Sequence, residues 1–510
     1  MEKEKSFRQR LILLSIGLLV GACLYSLTGR LHFDVGIDPV RGQMAAGITG
    51  FVAVLWLTEA IPMAATSLIP LAAFPLFGVV PTSISTPAYA HPILWMFFGG
   101  LVLALGIERW GLHRRIALHV IRRAGTQPSR LILGFMSAAC FLSMWMNNTS
   151  TTLMLLPIAL ALVSNLRDVG AIQGKDEKNF SFALLVGVAY ASSIGGIATP
   201  VGTAPNALFM STYAAMERAG APPVSFSSWC LIATPMVWVF LVIAWFVLIK
   251  IIAPQGIGTR SGDAMIKQSL YDLGPIRSSE KRMLALFSFT ALLWITRRDI
   301  DFGSEFTFPG WWHLLPIPDA EYVGDGVVAV FCAILSFIIP SGDQKDRALM
   351  NWDTAKNIPW DILLLIGGGV CIAHVFEATG LAKAAALSME PTLRQVPAWM
   401  AVVLVCTLMT FLTEFTSNAA STALMLPVMA SSSLALGLDP RLLMLPATFS
   451  ASCAFMLPIA TPPNAIVFSS GRVTMRGLAT AGFILNLVGV ILISATVWFV
   501  AVPVWKIPLP

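Results

Sequence analysis

Long apolar runs alternate with short polar stretches along nearly the whole chain. A membrane-spanning helix needs about 20 mostly apolar residues. Runs of that kind recur near 11–29, 43–58, 62–82, 92–108, 180–215, 229–252, 282–296, 323–341, 359–378, 441–470 and 478–503. Two further stretches, 131–164 and 396–434, are too long for one span and carry a polar cluster near the middle. Each is expected to be a helical hairpin that enters the membrane and turns back on the same side, with arms of about half a bilayer. The pattern predicts an all-α polytopic membrane protein with about eleven transmembrane helices and two re-entrant hairpins.

The polar interruptions repeat. "FLSMWMNNTSTTLMLLPIAL" (141–160) aligns without a gap with "FLTEFTSNAASTALMLPVMA" (411–430), pairing Asn147–Asn148 with Ser417–Asn418, 270 positions on. After each hairpin comes a second pair, "GIATPVGTAPN" (196–206) and "AFMLPIATPPN" (454–464), 258 positions apart. Before each comes a third, "GGLVLALGIERWGL" (99–112) and "GGVCIAHVFEATGL" (368–381). Three pairs in one order imply two structural repeats. An odd number of predicted crossings separates them, so their topologies are inverted, the plan in which secondary transporters bind substrate and ions at broken helices near the midplane. The expected organisation is N-terminal scaffold helices (1–90), a first repeat (91–228), further scaffold helices and loops (229–358), a second repeat (359–475) and a last transmembrane helix (476–510).

Composition agrees with a lipid solvent: 56% of residues are hydrophobic, 12% are charged, and the mean hydropathy is +0.77. The net charge of +6 does not point to nucleic acid, because the basic residues lie in short loops between spans. With the N-terminus cytoplasmic, "HRRIALHVIRR", "GKDEK", "GTRSGDAMIKQ" (258–268), "SGDQKDR" (341–347) and "SGRVTMR" all fall on the cytoplasmic side. Loops 212–228 and 298–322 fall opposite and are poorer in Lys and Arg. The C-terminus is then on the far side, the first hairpin opens inward and the second outward, and an inner or plasma membrane is the expected location. The seven cysteines are scattered through apolar segments without a C-x-x-C pair, so neither a disulfide framework nor a zinc site is indicated.

Each break frees carbonyls at one helix end and N–H groups at the next helix start. Carbonyl, hydroxyl and amide oxygens suit a small cation, and positive helix starts suit an anion. The hydroxyl residues after each Asn are expected to cap the new helix. None of the break motifs contains Lys, Arg or His, so a bound dianion would need a co-bound cation. The lack of a carboxylate at either Asn tip argues against a calcium or magnesium cage. Glu59, Glu108, Glu377 and Glu414 are the intramembrane acids. The first three sit near span ends and read as caps or interface residues, whereas Glu414 lies one turn before the second tip. No H-E-x-x-H, nucleophile elbow or phosphate loop is present, so an enzyme is not indicated. A channel needs a continuous polar pore rather than two inverted tips closing on one site.

In these residues, and in "LWLTEAIP" (55–62), "IPWDILLLIGGG" (358–369) and "SCAFMLPIATPPNAIV" (452–467), the chain resembles the divalent anion sodium symporter family, which contains sodium-coupled dicarboxylate and citrate transporters. The resemblance implies two sodium sites, one held by Ser143, Asn147, Asn148 and Gly202 and the other by Thr413, Thr416, Asn418 and Ala460. It implies substrate carboxylates contacted by Asn148, Thr149, Asn418, Thr461 and Pro462, with Ala419 at the place where the family motif has Thr. It also implies a homodimer working as an elevator, no organic cofactor, and a small dianion, such as succinate or malate, as cargo. Sodium-independent dicarboxylate exchange and carriage of citrate or sulfate are the alternatives within that resemblance.

Overall fold

The apolar runs fold as helices. The computed structural model describes residues 6–31, 33, 38–125, 127–168, 172–218, 220–252, 262–301, 307–343, 347–384 and 396–509. Helices α1 (Phe7–Thr28), α2 (Pro39–Thr58) and α3 (Met63–Leu76) precede α4 (Pro92–Arg109) and α5 (Leu112–Ala124). The first hairpin is α6 (Pro128–Ser143) with α7 (Asn148–Asp168), followed by a broken pair, α8 (Gly174–Gly196) and α9 (Ala204–Arg218). Next come α10 (Phe226–Val247), α11 (Gly262–Asp272), α12 (Ser278–Ile295) and α13 (Asp325–Ile338). The second half holds α14 (Trp360–Ala378), the hairpin α15 (Ala398–Leu412) and α16 (Asn418–Ala435), the broken pair α17 (Arg441–Ala451) and α18 (Pro462–Ser469), and α19 (Met475–Thr496). The one sheet among the described residues is a two-residue antiparallel ladder in the 298–322 loop, pairing Ile300 with Phe308.

Eight of the described helices are long and apolar enough to cross a membrane, and four more apolar helices are shorter, among them the first arms of both hairpins. Helix α3 stops well short of residue 82, because Pro75 and the left-handed Gly78 (φ 66°) end it. The basic segment "HRRIALHVIRR", expected as a loop, is most of α5: Leu112, Ala117, Leu118 and Ile121 form its buried stripe, and the interleaved arginines hide that period in the sequence. The loop read over 258–268 is likewise partly helical, as α11. Residues 258–261, 302–306 and 344–346 of the loops lie outside the described residues.

Burial sorts the helices into layers. Every residue of α8 from Phe180 to Gly196 is buried, and so is all of α17. In α1, by contrast, Gly17 and Gly21 are the buried positions, at its contact with α2. The first arms of the two broken helices therefore form the centre of the molecule. Their interruptions are tolerated there because protein, rather than lipid, surrounds the freed backbone groups.

Glycines set how closely α4 and α14 approach their neighbours. A Cβ on Gly99 of α4 would lie 2.4 Å from the backbone of Ala329 in α13, and one on Gly368 of α14 would lie 2.9 Å from the Ser67 carbonyl in α3. Both contacts are backbone to backbone, so neither site admits a side chain without moving a helix. Trp56 Nε1 donates to Ser67 Oγ at 3.1 Å, and Trp294 Nε1 donates to the Asp325 carbonyl at 3.0 Å, tying α2 to α3 and α12 to α13.

Candidate functional site: two tips and two breaks around one cavity

The first tip is built by its own side chains. Chain 144–147 turns after α6, and Asn147 Oδ1 accepts from the Thr149 amide at 2.8 Å, which caps the start of α7. Ser143, buried at the end of α6, donates from Oγ to Asn148 Oδ1 at 2.5 Å. In the second tip Thr413 Oγ1 donates to Asn418 Oδ1 at 2.7 Å and lies 3.0 Å from the Ala451 carbonyl. The pairs 143/148 and 413/418 are again 270 positions apart. Each sets two uncharged oxygens side by side at the top of a helix.

The hydroxyls that follow each asparagine have a different role from the capping expected of them. Thr152 and Thr422 donate back to the carbonyls of Asn148 and Asn418, at 2.9 and 2.7 Å. Such a bond satisfies a buried hydroxyl inside its own helix. The cap in the first tip is Asn147, and Ser417 at the equivalent place makes no side-chain cap bond. The first amides of α16 are thereby left for another acceptor. Thr416 Oγ1 is instead in a short hydrogen bond with Ser421 Oγ.

Both breaks are held by an asparagine. Asn206 Nδ2 donates to the carbonyls of Gly196, Ile197 and Thr199 at 2.9, 3.3 and 2.7 Å. Asn464 Nδ2 donates to those of Ala454 and Leu457 at 3.0 and 3.1 Å. Gly196 and Ala454, Thr199 and Leu457, and the two asparagines themselves are each 258 positions apart. Thr461 Oγ1 accepts from the Asn464 amide at 3.4 Å, capping α18.

These four features border a cavity of about 770 Å³. Asn147, Asn148 and Thr149 line it from the first tip and Gly202 from the first break. Thr416, Asn418 and Ala419 line it from the second tip, with Ala460, Thr461 and Pro462 from the second break. Ser143 and Thr413 do not reach the wall; fully buried, they stand behind Asn148 and Asn418 and orient them. Leu57, Leu101, Asp361 and Ile362 also line it, from segments 55–62, 99–112 and 358–369, and so does Phe97, which lies outside every motif quoted above. Apolar residues at the ends of spans carry no local signal for this place.

Four helices, α7, α9, α16 and α18, begin at this cavity. Each helix start carries about half a positive charge, falling off within a turn. The lining contains no Lys, Arg or His, and its ionisable members are Glu59 and Asp361. Glu59 ends α2 in a left-handed conformation, with φ 46°. Glu108 and Glu377 are exposed near the ends of α4 and α14, as expected. Glu414 is buried and outside the wall.

The two halves are packed unequally against the rest of the protein. Trp145 in the first tip stacks on Phe226 at 6.2 Å and meets Phe287 edge-on at 5.1 Å, and Val201 in the first break is buried. Their counterparts, Phe415 and Ile459, are 73% and 81% exposed. The cavity is thus covered on the side of the first repeat and open on the side of the second.

Known proteins resemble this chain in sequence and in fold. Residues 33–506 match the model of the sodium:sulfate symporter transmembrane region. The sodium-dependent dicarboxylate transporter SdcS of Staphylococcus saprophyticus is 36% identical over 504 residues, covering 97% of this chain and 93% of that protein. SdcS of Staphylococcus aureus strain USA300 is 37% identical over 489 residues, covering 95% and 91%. Among solved structures, the YdaH transporter of Alcanivorax borkumensis superposes with a TM-score of 0.56 at 14% identity, covering 96% of this chain and 97% of that one. MtrF of Neisseria gonorrhoeae superposes with a TM-score of 0.55 at 14% identity, covering 97% and 95%. These two likenesses speak for the fold. The chain is an integral membrane transporter rather than an enzyme, and it belongs to the sodium:sulfate symporter family.

Proposed function

We propose that the protein couples sodium entry to the uptake of a C4-dicarboxylate such as succinate or malate. The observation that carries this reading is the convergence of four helix starts on a cavity whose lining has no cationic side chain. Dipoles favour an anion there, yet they do not neutralise a dianion withdrawn from water. Two sodium ions would complete the balance. Asn148 with Ser143 bonded behind it, Asn418 with Thr413 bonded behind it, and backbone at Gly202 and Ala460 would supply the hard, uncharged oxygens such ions take. Asn147 and Thr416 complete the two sets. Thr149, Ala419, Thr461 and Pro462 line the same cavity, and the carboxylates would lie against them. Relatives named as sodium-dependent dicarboxylate transporters, over nearly the whole chain, support the same substrate class.

Alternating access follows from the repeats. Residues 91–228 and 359–475 carry the tips and breaks and would move as a transport unit against 1–90 and 229–358, an elevator, within a homodimer. The unequal packing of Trp145 and Phe415 supports this, since inverted repeats must exchange such environments to open the other way. In this reading the N-terminus is cytoplasmic and the C-terminus lies on the opposite side of the plasma membrane. Thermal unfolding of the purified protein tests the coupling. Succinate is expected to raise the midpoint in sodium and to leave it unchanged in choline; equal stabilisation in both would leave a sodium-independent carrier.

A further inference from the structure

Behind the second tip, Glu414 makes a junction that the first tip lacks. Its side chain is 1% exposed. Oε1 accepts from the amides of Phe455 and Met456, both at 2.8 Å, and from Asn486 Nδ2 at 2.7 Å. Oε2 accepts from the Leu457 amide at 3.0 Å. Three successive amides of the second break therefore form an anion-binding concavity, and a carboxylate of the same chain fills it. No Lys, Arg or His pairs with Glu414 among the described residues.

The counterpart of Glu414, 270 positions earlier, is Met144. The junction there runs the other way: Thr199 Oγ1, on the break, donates to the Met144 carbonyl, on the tip, at 2.5 Å. Thr199 is the counterpart of Leu457, 258 positions on. The amides of Ile197 and Ala198, counterparts of Phe455 and Met456, bond within their own turn to Ile194 and Gly195 at 3.2 and 3.0 Å. Matching places in the two repeats are thus joined by one neutral hydrogen bond in the first and by a carboxylate with four donors in the second.

Geometry gives this junction a task. Glu414 adjoins Thr413, whose hydroxyl orients Asn418. Leu457, which Glu414 holds by its amide, accepts at its carbonyl from the Ala460 amide at 3.2 Å and from Asn464 Nδ2 at 3.1 Å. One side chain therefore fixes the spacing between the tip oxygens and the break backbone that together form the second cation set. We propose that Glu414 is the positioning residue of that set, acting through backbone 455–457 and touching neither ion nor substrate. The inference rests on the sodium-coupled reading of the site.

The test is succinate uptake into proteoliposomes as a function of external sodium for wild type, Glu414→Gln, Glu414→Ala, Asn486→Ala and Thr199→Val. Glutamine keeps one acceptor oxygen and loses the Leu457 bond, so its sodium half-saturation is expected to rise about three- to tenfold, and that of alanine more. Asn486→Ala, which removes one donor of four, shifts it less and in the same direction. Succinate half-saturation at saturating sodium and the charge moved per succinate stay at their wild-type values. A purely structural loss would lower the maximal rate without that split between sodium and substrate. A changed charge per succinate in Glu414→Gln would make Glu414 a coupling group and overturn the proposal, as would an unchanged sodium curve in Glu414→Ala. If the alanine variant does not fold, the glutamine and Asn486→Ala curves decide by the same criteria. Wild type showing no sodium-dependent uptake would sink the sodium-coupled reading as well; wild-type coupling with unmoved variants would sink the Glu414 role alone.

Discussion

Adding one methyl group at Gly202 would break the first cation set. A Cβ there would lie 2.4 Å from the Gly196 carbonyl oxygen, 3.0 Å from its carbon and 3.1 Å from its Cα. All three are backbone atoms, so no side chain can swing aside. Relief to ordinary contact at 3.4 Å requires the break to open by about 1 Å. Gly196 cannot simply retreat: its carbonyl is held by Asn206 Nδ2 at 2.9 Å, and its own missing Cβ position is 2.7 Å from Asn148 Oδ1. Overpacking of this kind costs about 1–3 kcal/mol, or roughly five- to 150-fold in affinity if it falls on the bound state. The second repeat already carries a methyl at the matching place, Ala460, so Ala460→Gly should cost only about 0.5–1 kcal/mol of backbone entropy. The assay is the initial rate of labelled succinate uptake against external sodium, with each variant reconstituted at equal density after gel filtration. Gly202→Ala is expected to raise the sodium half-saturation at least about fivefold or to abolish uptake, and Ala460→Gly to stay within about threefold of wild type. A wild-type sodium curve for Gly202→Ala would show that the first break tolerates the methyl group and that no cation depends on its backbone.

Asn148→Ala and Asn418→Ala each remove an oxygen that the proposed site assigns to both a cation set and the substrate, and should abolish uptake while the gel-filtration profile stays that of wild type; normal uptake in either would remove that asparagine from the site. Ala419→Thr adds a hydroxyl to the cavity wall and should lower succinate half-saturation by up to about tenfold, the worth of one hydrogen bond to a carboxylate; a weaker affinity would show that the methyl at Ala419 is in contact with the cargo. In a Cys23→Ser background, Phe415→Cys should react with a water-soluble maleimide at least about tenfold faster than Trp145→Cys, since open and covered tips differ in exposure of the backbone and side chain alike. Equal rates would contradict the one-sided opening of the cavity.

The parts of this architecture that were legible in the sequence are those where polarity interrupts an apolar run. Asn147–Asn148 and Ser417–Asn418 could be recognised as tips because nothing but a turn lined by protein accommodates them in a membrane. Thr-Ala-Pro-Asn at 203–206 and Thr-Pro-Pro-Asn at 461–464 marked the breaks for the same reason, although the task of Asn206 and Asn464, gathering carbonyls 7–10 residues back, required coordinates. Helix α5 was hidden because its arginines dilute the apolar period, and α11 because it lies in a polar loop. Ser143 and Thr413, which the resemblance gives as sodium ligands, are buried behind Asn148 and Asn418, a placement that only coordinates reveal. The bond partners of Glu414 lie 41 to 72 residues away along the chain, a distance over which no local pattern carries information.

If sodium supplies the charge this cavity lacks, the cation must govern accumulation of the anion. Labelled succinate uptake into proteoliposomes would be followed under an inward gradient of sodium and under equal gradients of potassium and choline. Accumulation above equilibrium in sodium alone is the predicted result. Uptake that ignores sodium and requires internal dicarboxylate would contradict the account and make the protein an exchanger, whose charge balance would come from a second anion moving the opposite way.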